Sequence, residues 1–145
     1  METVQPVPTE FARGIAAAFW TGSDVVLAPT VFHGGASGPV PFNLRGVRYD
    51  PATGAYALMS HSAVNDSANA TVWTGGSLVQ FSWAQGGLSG STPGDGQAWD
   101  PTTDTWFAVA SAPFEGFGDQ FVWTGSEIVA IGPGGGHQLA PAAHP

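Results

Sequence analysis

Two acidic residues in closely similar surroundings are the first candidates for chemistry. Asp50 and Asp100 each begin an Asp-Pro-x-Thr segment. A pair of carboxylates can perform general acid–base catalysis when their environments separate their pKa values. In this context, however, proline presets the backbone for a turn, and the aspartate side chain bonds nearby backbone N–H groups. We therefore predict that both are turn residues and not catalytic ones.

Asp95 and four histidines are the candidate metal ligands. Asp95 lies between two glycines in a loop that could offer an oxygen to Ca²⁺, but such a site needs several oxygen ligands, so a turn is favoured. His33, His61, His137 and His144 show no HxH or HExxH spacing. A metal site shared by His33 and His137, which flank glycine runs, is the alternative to two loop histidines. We predict no metal and no cofactor.

Other catalytic patterns are missing from the sequence. The chain has no cysteine, which excludes disulfides, thiolate metal sites and thiol nucleophiles. No serine stands in a G-x-S-x-G setting, and the glycine-rich segments 34–38 and 86–96 have no lysine near them to make a phosphate site. We predict no catalytic residues and no enzymatic activity for this chain.

Tryptophans provide the candidate binding surfaces. Trp20, Trp73 and Trp123 each precede Thr-Gly, and this repetition favours packing between structural units, with sugar stacking as the alternative. Trp83 stands outside the repeat, with Phe81 two residues earlier on the same strand face. It is a candidate exposed aromatic platform, and a core position is the alternative. The candidate binding residues are His33, Phe42, Trp83 and Asp95.

The elements that would position these residues follow from composition. Glycine contributes 21 residues and proline 12, which is high for a folded domain. Aromatic residues make up 12% and hydrophobic residues 43% of the chain, so there is enough apolar side chain to bury a core. Glycine and proline therefore indicate turns between many short strands, and the predicted fold class is all-β.

Charge narrows the range of partners. The formal net charge is −8, with three arginines and no lysine. Three arginines cannot form a basic patch, so neither nucleic acid nor an anionic membrane surface is predicted as a partner. The first residues lack the basic and apolar regions of a secretory signal. The compartment stays open, an exported bacterial parent protein being one alternative.

Two motifs recur with one period. Phe19-Trp20-Thr21-Gly22 returns as Val72-Trp73-Thr74-Gly75 and as Val122-Trp123-Thr124-Gly125, with the tryptophans 53 and 50 residues apart. Tyr49-Asp50-Pro51-Ala52-Thr53-Gly54-Ala55-Tyr56 returns 50 residues later, from Trp99 to Trp106. Such periods are typical of repeat architectures. The predicted structural repeat residues are Trp20, Tyr49, Asp50, Pro51, Tyr56, Trp73, Trp99, Asp100, Pro101, Trp106 and Trp123.

Each repeat predicts four short strands. The first unit places them at about 15–20, 24–31, 44–49 and 55–60. The second unit places them at about 70–74, 77–83, 96–100 and 105–110. The third unit supplies only two, at about 120–123 and 127–132.

A strand ending in Trp-Thr-Gly, a second apolar strand, a glycine-rich loop and then Tyr/Trp-Asp-Pro-x-Thr resembles the blades of kelch-repeat and galactose-oxidase-type β-propellers. The resemblance implies a partial propeller with two complete four-stranded blades and a partial blade at each end. The implied domains are 1–14 (remnant of a preceding blade and linker), 15–62 (first blade), 63–113 (second blade), 114–136 (first half of a third blade) and 137–145 (tail). The copper-radical chemistry of galactose oxidase needs a cysteine, so it is not implied.

Function is expected where the repeat varies. Segments 32–44 and 84–96 differ in sequence although the strands around them repeat. Because loops on rigid scaffolds carry binding sites, they predict a non-catalytic module that binds a protein or a glycan. The alternative is a fragment of a larger exported enzyme or carbohydrate-active protein with its catalytic residues elsewhere. Completion of the ring is expected from further blades in the same polypeptide or, alternatively, from a homo-oligomer.

Overall fold

The chain folds into short antiparallel strands joined by tight turns. The computed structural model describes residues 6–8, 15–29, 45–62, 68–82, 96–111, 120–132 and 135–139. Within these ranges there are eleven strands and no helix, which confirms the all-β prediction. The strands are β1 (Ile15–Trp20), β2 (Val25–Pro29), β3 (Val47–Asp50), β4 (Ala55–Leu58), β5 (Ala68–Trp73), β6 (Leu78–Ser82), β7 (Gly96–Asp100), β8 (Thr105–Val109), β9 (Gln120–Trp123), β10 (Ile128–Gly132) and β11 (Gly135–Leu139).

The repeated Trp-Thr-Gly segments form the hairpin turns between the first two strands of each unit. In the first copy the Thr21 N–H donates to the Asp24 carbonyl at 3.0 Å, and the Thr21 Oγ1 accepts from the Asp24 N–H at 3.0 Å. Gly22 has a φ of 106°, a conformation that favours glycine because it has no Cβ. The threonine thus closes the turn and the glycine reverses the chain, which is why the motif recurs.

The strands form three sheets. Sheet 1 has the order β1-β2-β3-β4, sheet 2 the order β5-β6-β7-β8, and sheet 3 the order β11-β10-β9, all antiparallel. Most strand bounds lie within one or two residues of those predicted. In sheet 1, β3 begins at Val47 and not near residue 44, and the Gly46 carbonyl just before it accepts from the Met59 N–H at 2.8 Å.

The prediction of only two strands in the third unit is wrong. Strand β11 pairs with β10, with Ala130 opposite His137, so the predicted boundary after residue 136 falls inside a strand. Its sequence, Gly-Gly-His-Gln-Leu, has no apolar alternation to mark it. Pairing with a formed neighbour, rather than intrinsic propensity, accounts for this strand.

Sheet 2 lies between the other two and packs on both faces. Strand β6 shows how its side chains alternate: Leu78 is buried with Val26 of sheet 1, whereas Val79 and Phe81 are buried with Ile128 of sheet 3. We call the contact of sheets 1 and 2 the first interface and that of sheets 2 and 3 the second interface. Full burial of a side chain such as Leu78 contributes about 1.5–3 kcal/mol.

Candidate interaction surfaces

The four residues predicted to bind a ligand cannot be placed. His33, Phe42, Trp83 and Asp95 all lie outside the described residues, as do segments 32–44 and 84–95. Strand ends nevertheless fix where these segments start and finish. The first joins β2 to β3 and the second joins β6 to β7, which are equivalent positions of two sheets packed against each other.

The corresponding connection in sheet 3 is much shorter. Between β2 and β3 the chain uses residues 30–46, and between β6 and β7 it uses residues 83–95. Between β10 and β11 it uses only residues 133–134. Two long segments therefore follow equivalent strands, β2 and β6, of adjacent sheets. The two-residue connection after β10 shows that the fold does not need a long segment at this position.

Arg48 links sheets 1 and 2 at the first interface, near the turns at residues 21–24 and 101–104. The Arg48 Nε donates to Asp24 Oδ2 at 2.9 Å, and its Nη2 forms a salt bridge with the same oxygen. The Arg48 Nη1 donates to the Pro101 carbonyl of sheet 2 at 3.4 Å. The guanidinium carbon lies 5.5 Å from the centroid of the Trp99 ring, within range of a cation–π contact. Arg48 of sheet 1 therefore contacts the Asp24 carboxylate of its own sheet, and the Pro101 carbonyl and the Trp99 ring of sheet 2.

Asp104 forms the second part of the same interface. Its Oδ1 accepts from the Trp99 Nε1–H at 2.9 Å and from the Ser60 backbone N–H of sheet 1 at 3.0 Å. The Ser60 carbonyl in turn accepts from the Trp106 Nε1–H at 3.0 Å. This carboxylate oxygen accepts one hydrogen bond from each of the two sheets. Asp104 therefore helps to hold sheet 2 against sheet 1.

The two aspartates first considered for catalysis lie in turns. Asp50 accepts from the Ala52 N–H at 2.8 Å and from the Thr53 hydroxyl at 2.7 Å. Asp100 accepts from the Thr102 N–H at 2.7 Å and from the Thr103 hydroxyl at 3.0 Å. The hydrogen bond from Thr53, followed by that from Ala52, holds the pKa of Asp50 below its ordinary value. A carboxylate stabilised in its charged form is a poor proton donor near neutral pH.

The repeated aromatic residues differ in exposure. Trp73 and Trp123 are partly buried against the first and second interfaces, respectively. Trp20, at the equivalent position of sheet 1, is 55% exposed, because none of the described sheets covers that face. Tyr49 and Tyr56 lie on the same sheet as Trp20, with ring centroids 4.8 Å apart.

The outer faces of sheets 1 and 3 each carry exposed apolar side chains. Trp20 and Leu58, the latter 43% exposed, lie on the outer face of sheet 1. On the outer face of sheet 3, Val122 and Ile131 are 50% and 58% exposed. Sequence reasoning missed these exposed side chains, the contacts of Arg48 with Asp24 and Pro101, and those of Asp104 with Trp99 and Ser60. The signal for Asp104 was a break in the repeat, since the first copy has Gly54 at that position.

Metal-binding clusters and membrane-spanning helices are absent from the described ranges. No three His, Cys, Asp or Glu side chains there are grouped closely enough to hold a metal ion. Nor do those ranges contain a helix of the length and apolarity needed to cross a membrane.

Comparison with models of protein families finds no match, and comparison with curated proteins finds no significant relative. The kelch resemblance accordingly rests on the repeated residues.

Proposed function

We propose that the chain is a non-catalytic binding module made of kelch-like propeller blades, with segments 32–44 and 84–96 as its recognition loops. The observation that carries this proposal is the placement of the two segments. Each interrupts its unit between the second and third strands, at equivalent edges of two packed sheets. Variable segments at equivalent connections of a constant frame are the usual architecture of a binding face.

The rigidity of the frame supports this role. Arg48, Asp104 and Ser60 link sheets 1 and 2 by directed hydrogen bonds, and Trp99 and Leu78 are fully buried between the sheets. These links hold in place the strand ends from which the two loops leave. Affinity benefits because less conformational freedom is lost on binding.

The propeller assignment is supported by the way in which the sheets repeat. In each of the first two sheets the four strands follow one another in chain order from one edge to the other. The side chains next to the repeated tryptophans pack each sheet on the following one. Face-to-face stacking of four-stranded sheets of this kind is the arrangement of propeller blades.

A glycan is the ligand class that we propose for the loops. Phe42 and Trp83 supply aromatic surface in the two segments, and aromatic side chains combine apolar area with few torsional freedoms. The net charge of −8 disfavours polyanionic ligands. An uncharged sugar with apolar ring faces satisfies both conditions.

A glycan array, followed by calorimetric titration of the sugars that bind, tests this function. We expect binding by the wild-type chain and its loss in a variant whose residues 83–95 are replaced by Pro-Gly, as at the connection in sheet 3. Trp83→Ala should weaken binding by about tenfold or more, the range of a buried aromatic anchor. Thr102→Ala, in the exposed turn between β7 and β8 at the opposite end of these strands, is the control and should bind normally.

Two outcomes contradict the proposal. Absence of binding to any sugar at millimolar concentration rules out the glycan ligand. Binding that persists unchanged in both the Trp83→Ala and the loop-shortened variants rules out the loops as the site.

A further inference from the structure

Two pairs of equivalent repeat positions in sheets 2 and 3 differ strongly in solvent exposure. Val72 and Phe81 of sheet 2 are only 5% and 2% exposed, because sheet 3 covers them. Fifty residues later, Val122 and Ile131 occupy the same repeat positions in sheet 3 and are 50% and 58% exposed. Position and residue type are alike, and only the presence of a neighbouring sheet differs.

The other outer face of the stack repeats this contrast. Trp73 packs into the core of the first interface and Trp123 into that of the second, but Trp20 is 55% exposed. We call the face of each sheet that carries this tryptophan its tryptophan face, and the reverse side its opposite face. The tryptophan face of sheet 1 exposes Trp20 and Leu58 and buries Val47, and the opposite face of sheet 3 exposes Val122 and Ile131.

These two exposed faces are of the kinds that fit each other. At the first interface, the tryptophan face of sheet 2 packs on Val26 of the opposite face of sheet 1. At the second interface, the tryptophan face of sheet 3 packs on Val79 of the opposite face of sheet 2. Every described interface therefore joins a tryptophan face to an opposite face, which makes the contact head-to-tail.

We propose that a second copy of this chain docks head-to-tail, placing the tryptophan face of its sheet 1 on the opposite face of sheet 3. The chain's own sheets are the partners that these two kinds of face have at both described interfaces. No residue of the recognition loops enters this proposal, so it stands apart from the glycan-binding role. Because each copy offers one face of each kind, successive copies extend into a chain or close into a ring.

Charge is compatible with this contact. Along their described strands, the side chains of the two faces are uncharged, including Trp20, Leu58, Val122 and Ile131. The net charge of −8 on each copy opposes association at long range, and salt screens that repulsion. We therefore expect self-association to strengthen as ionic strength rises, the reverse of a contact held by ion pairs.

Sedimentation velocity over a concentration series tests the proposal with two blocking variants. Trp20→Asp disables one face and Ile131→Asp the other, so each variant alone should have a dissociation constant for self-association raised by about tenfold or more. An equimolar mixture should form a one-to-one heterodimer and nothing larger, since one intact face of each kind remains. Ala52→Asp, at an exposed turn position, adds the same charge away from both faces and should associate like the wild type.

Folding of the variants is checked by circular dichroism and by the urea midpoint, both of which should match the wild type because the substituted residues are exposed. A wild-type chain that remains monomeric throughout the concentration series overturns the proposal. Retained self-association in either blocking variant also overturns it, since a face that pairs with itself would survive one substitution. A mixture that stays monomeric overturns it as well.

Discussion

The two copies of the Asp-Pro turn, residues 50–54 and 100–104, are alike internally and unlike in their surroundings. In both copies the aspartate accepts from the N–H two residues on and from the hydroxyl three residues on. Both end in a left-handed residue, Gly54 with a φ of 73° and Asp104 with a φ of 52°. The first turn has open space around its last residue, whereas the second bonds across the first interface.

That difference shows that the residue type at the last turn position can vary between copies of the repeat while the turn geometry stays the same. The fifth residue of the turn must tolerate a positive φ, which glycine does without strain and aspartate does better than most residues. In the second turn this tolerance is used to aim a carboxylate at Trp99 and Ser60. Local geometry is thus shared by the two copies, and only the second has been adapted to join sheets.

The largest effect is expected at Trp99, which is fully buried, compared with Tyr49, its partly buried equivalent. Trp99→Ala should lower the free energy of unfolding by about 3–5 kcal/mol, through lost burial and a cavity. Tyr49→Ala should cost about 1 kcal/mol, a value typical of partly exposed positions. Urea unfolding at low protein concentration measures both, and equal losses would contradict the difference between the copies.

Gly46 and Gly96 extend the comparison to the strands that lead into the two turns. Gly46 directly precedes β3, and Gly96 is the first residue of β7. A Cβ on Gly96 would lie 2.7 Å from the Ala110 carbonyl oxygen, and a backbone atom cannot move aside. A Cβ on Gly46 would meet mainly the sulfur of Met59, a flexible but fully buried side chain, and would lie 3.3 Å from the Leu27 carbonyl oxygen. We expect Gly96→Ala to destabilise the fold by about 1–3 kcal/mol and Gly46→Ala by less. Thermal unfolding compares them, and a larger loss at Gly46 would be inconsistent with this reasoning.

Exchanging the last residues of the two turns tests the adaptation directly. Asp104→Gly removes the acceptor for the Trp99 N–H and the Ser60 N–H, at a cost of about 1–2 kcal/mol after relief of backbone strain. Gly54→Asp should destabilise the fold by about 1 kcal/mol, because its side chain would meet open space but a positive φ strains a residue with a Cβ. Asp104→Asn, which retains a carbonyl oxygen and tolerates a positive φ, should stay close to the wild type. Denaturant midpoints decide, and a neutral Asp104→Gly would remove the proposed role.

The smallest effect concerns acid stability of the first turn. The pKa of Asp50 is lowered in the folded chain, so its contribution to stability is present above the ordinary carboxyl pKa of about 3.9. This contribution is lost as pH falls through the folded value. The difference in thermal midpoint between wild type and Asp50→Ala should therefore be largest near neutral pH and shrink below about pH 4. A difference that does not vary with pH would show that the carboxylate charge is unimportant in the turn.

Sequence reasoning predicted most of the sheet structure but not the contacts between sheets. The Trp-Thr-Gly and Asp-Pro motifs mark turns through local bonds, and ten strands follow from the segments between them. Strand β11 was missed because its glycines and polar residues show no alternation, and it depends on pairing with β10. The candidate binding residues are predicted from loop position alone, and their placement stays a prediction.

The sequence by itself determined the period, the turns and the all-β class, because each depends on bonds and steric limits within a few residues. Only the tertiary structure decided that Arg48 reaches Pro101, that Asp104 reaches Ser60, and that Trp20 is exposed whereas Trp73 is not. Such contacts join residues tens of positions apart, and equivalent repeats have the same local sequence whether or not a neighbour covers them. Burial is a property of the neighbour, so the repeat pattern cannot encode it.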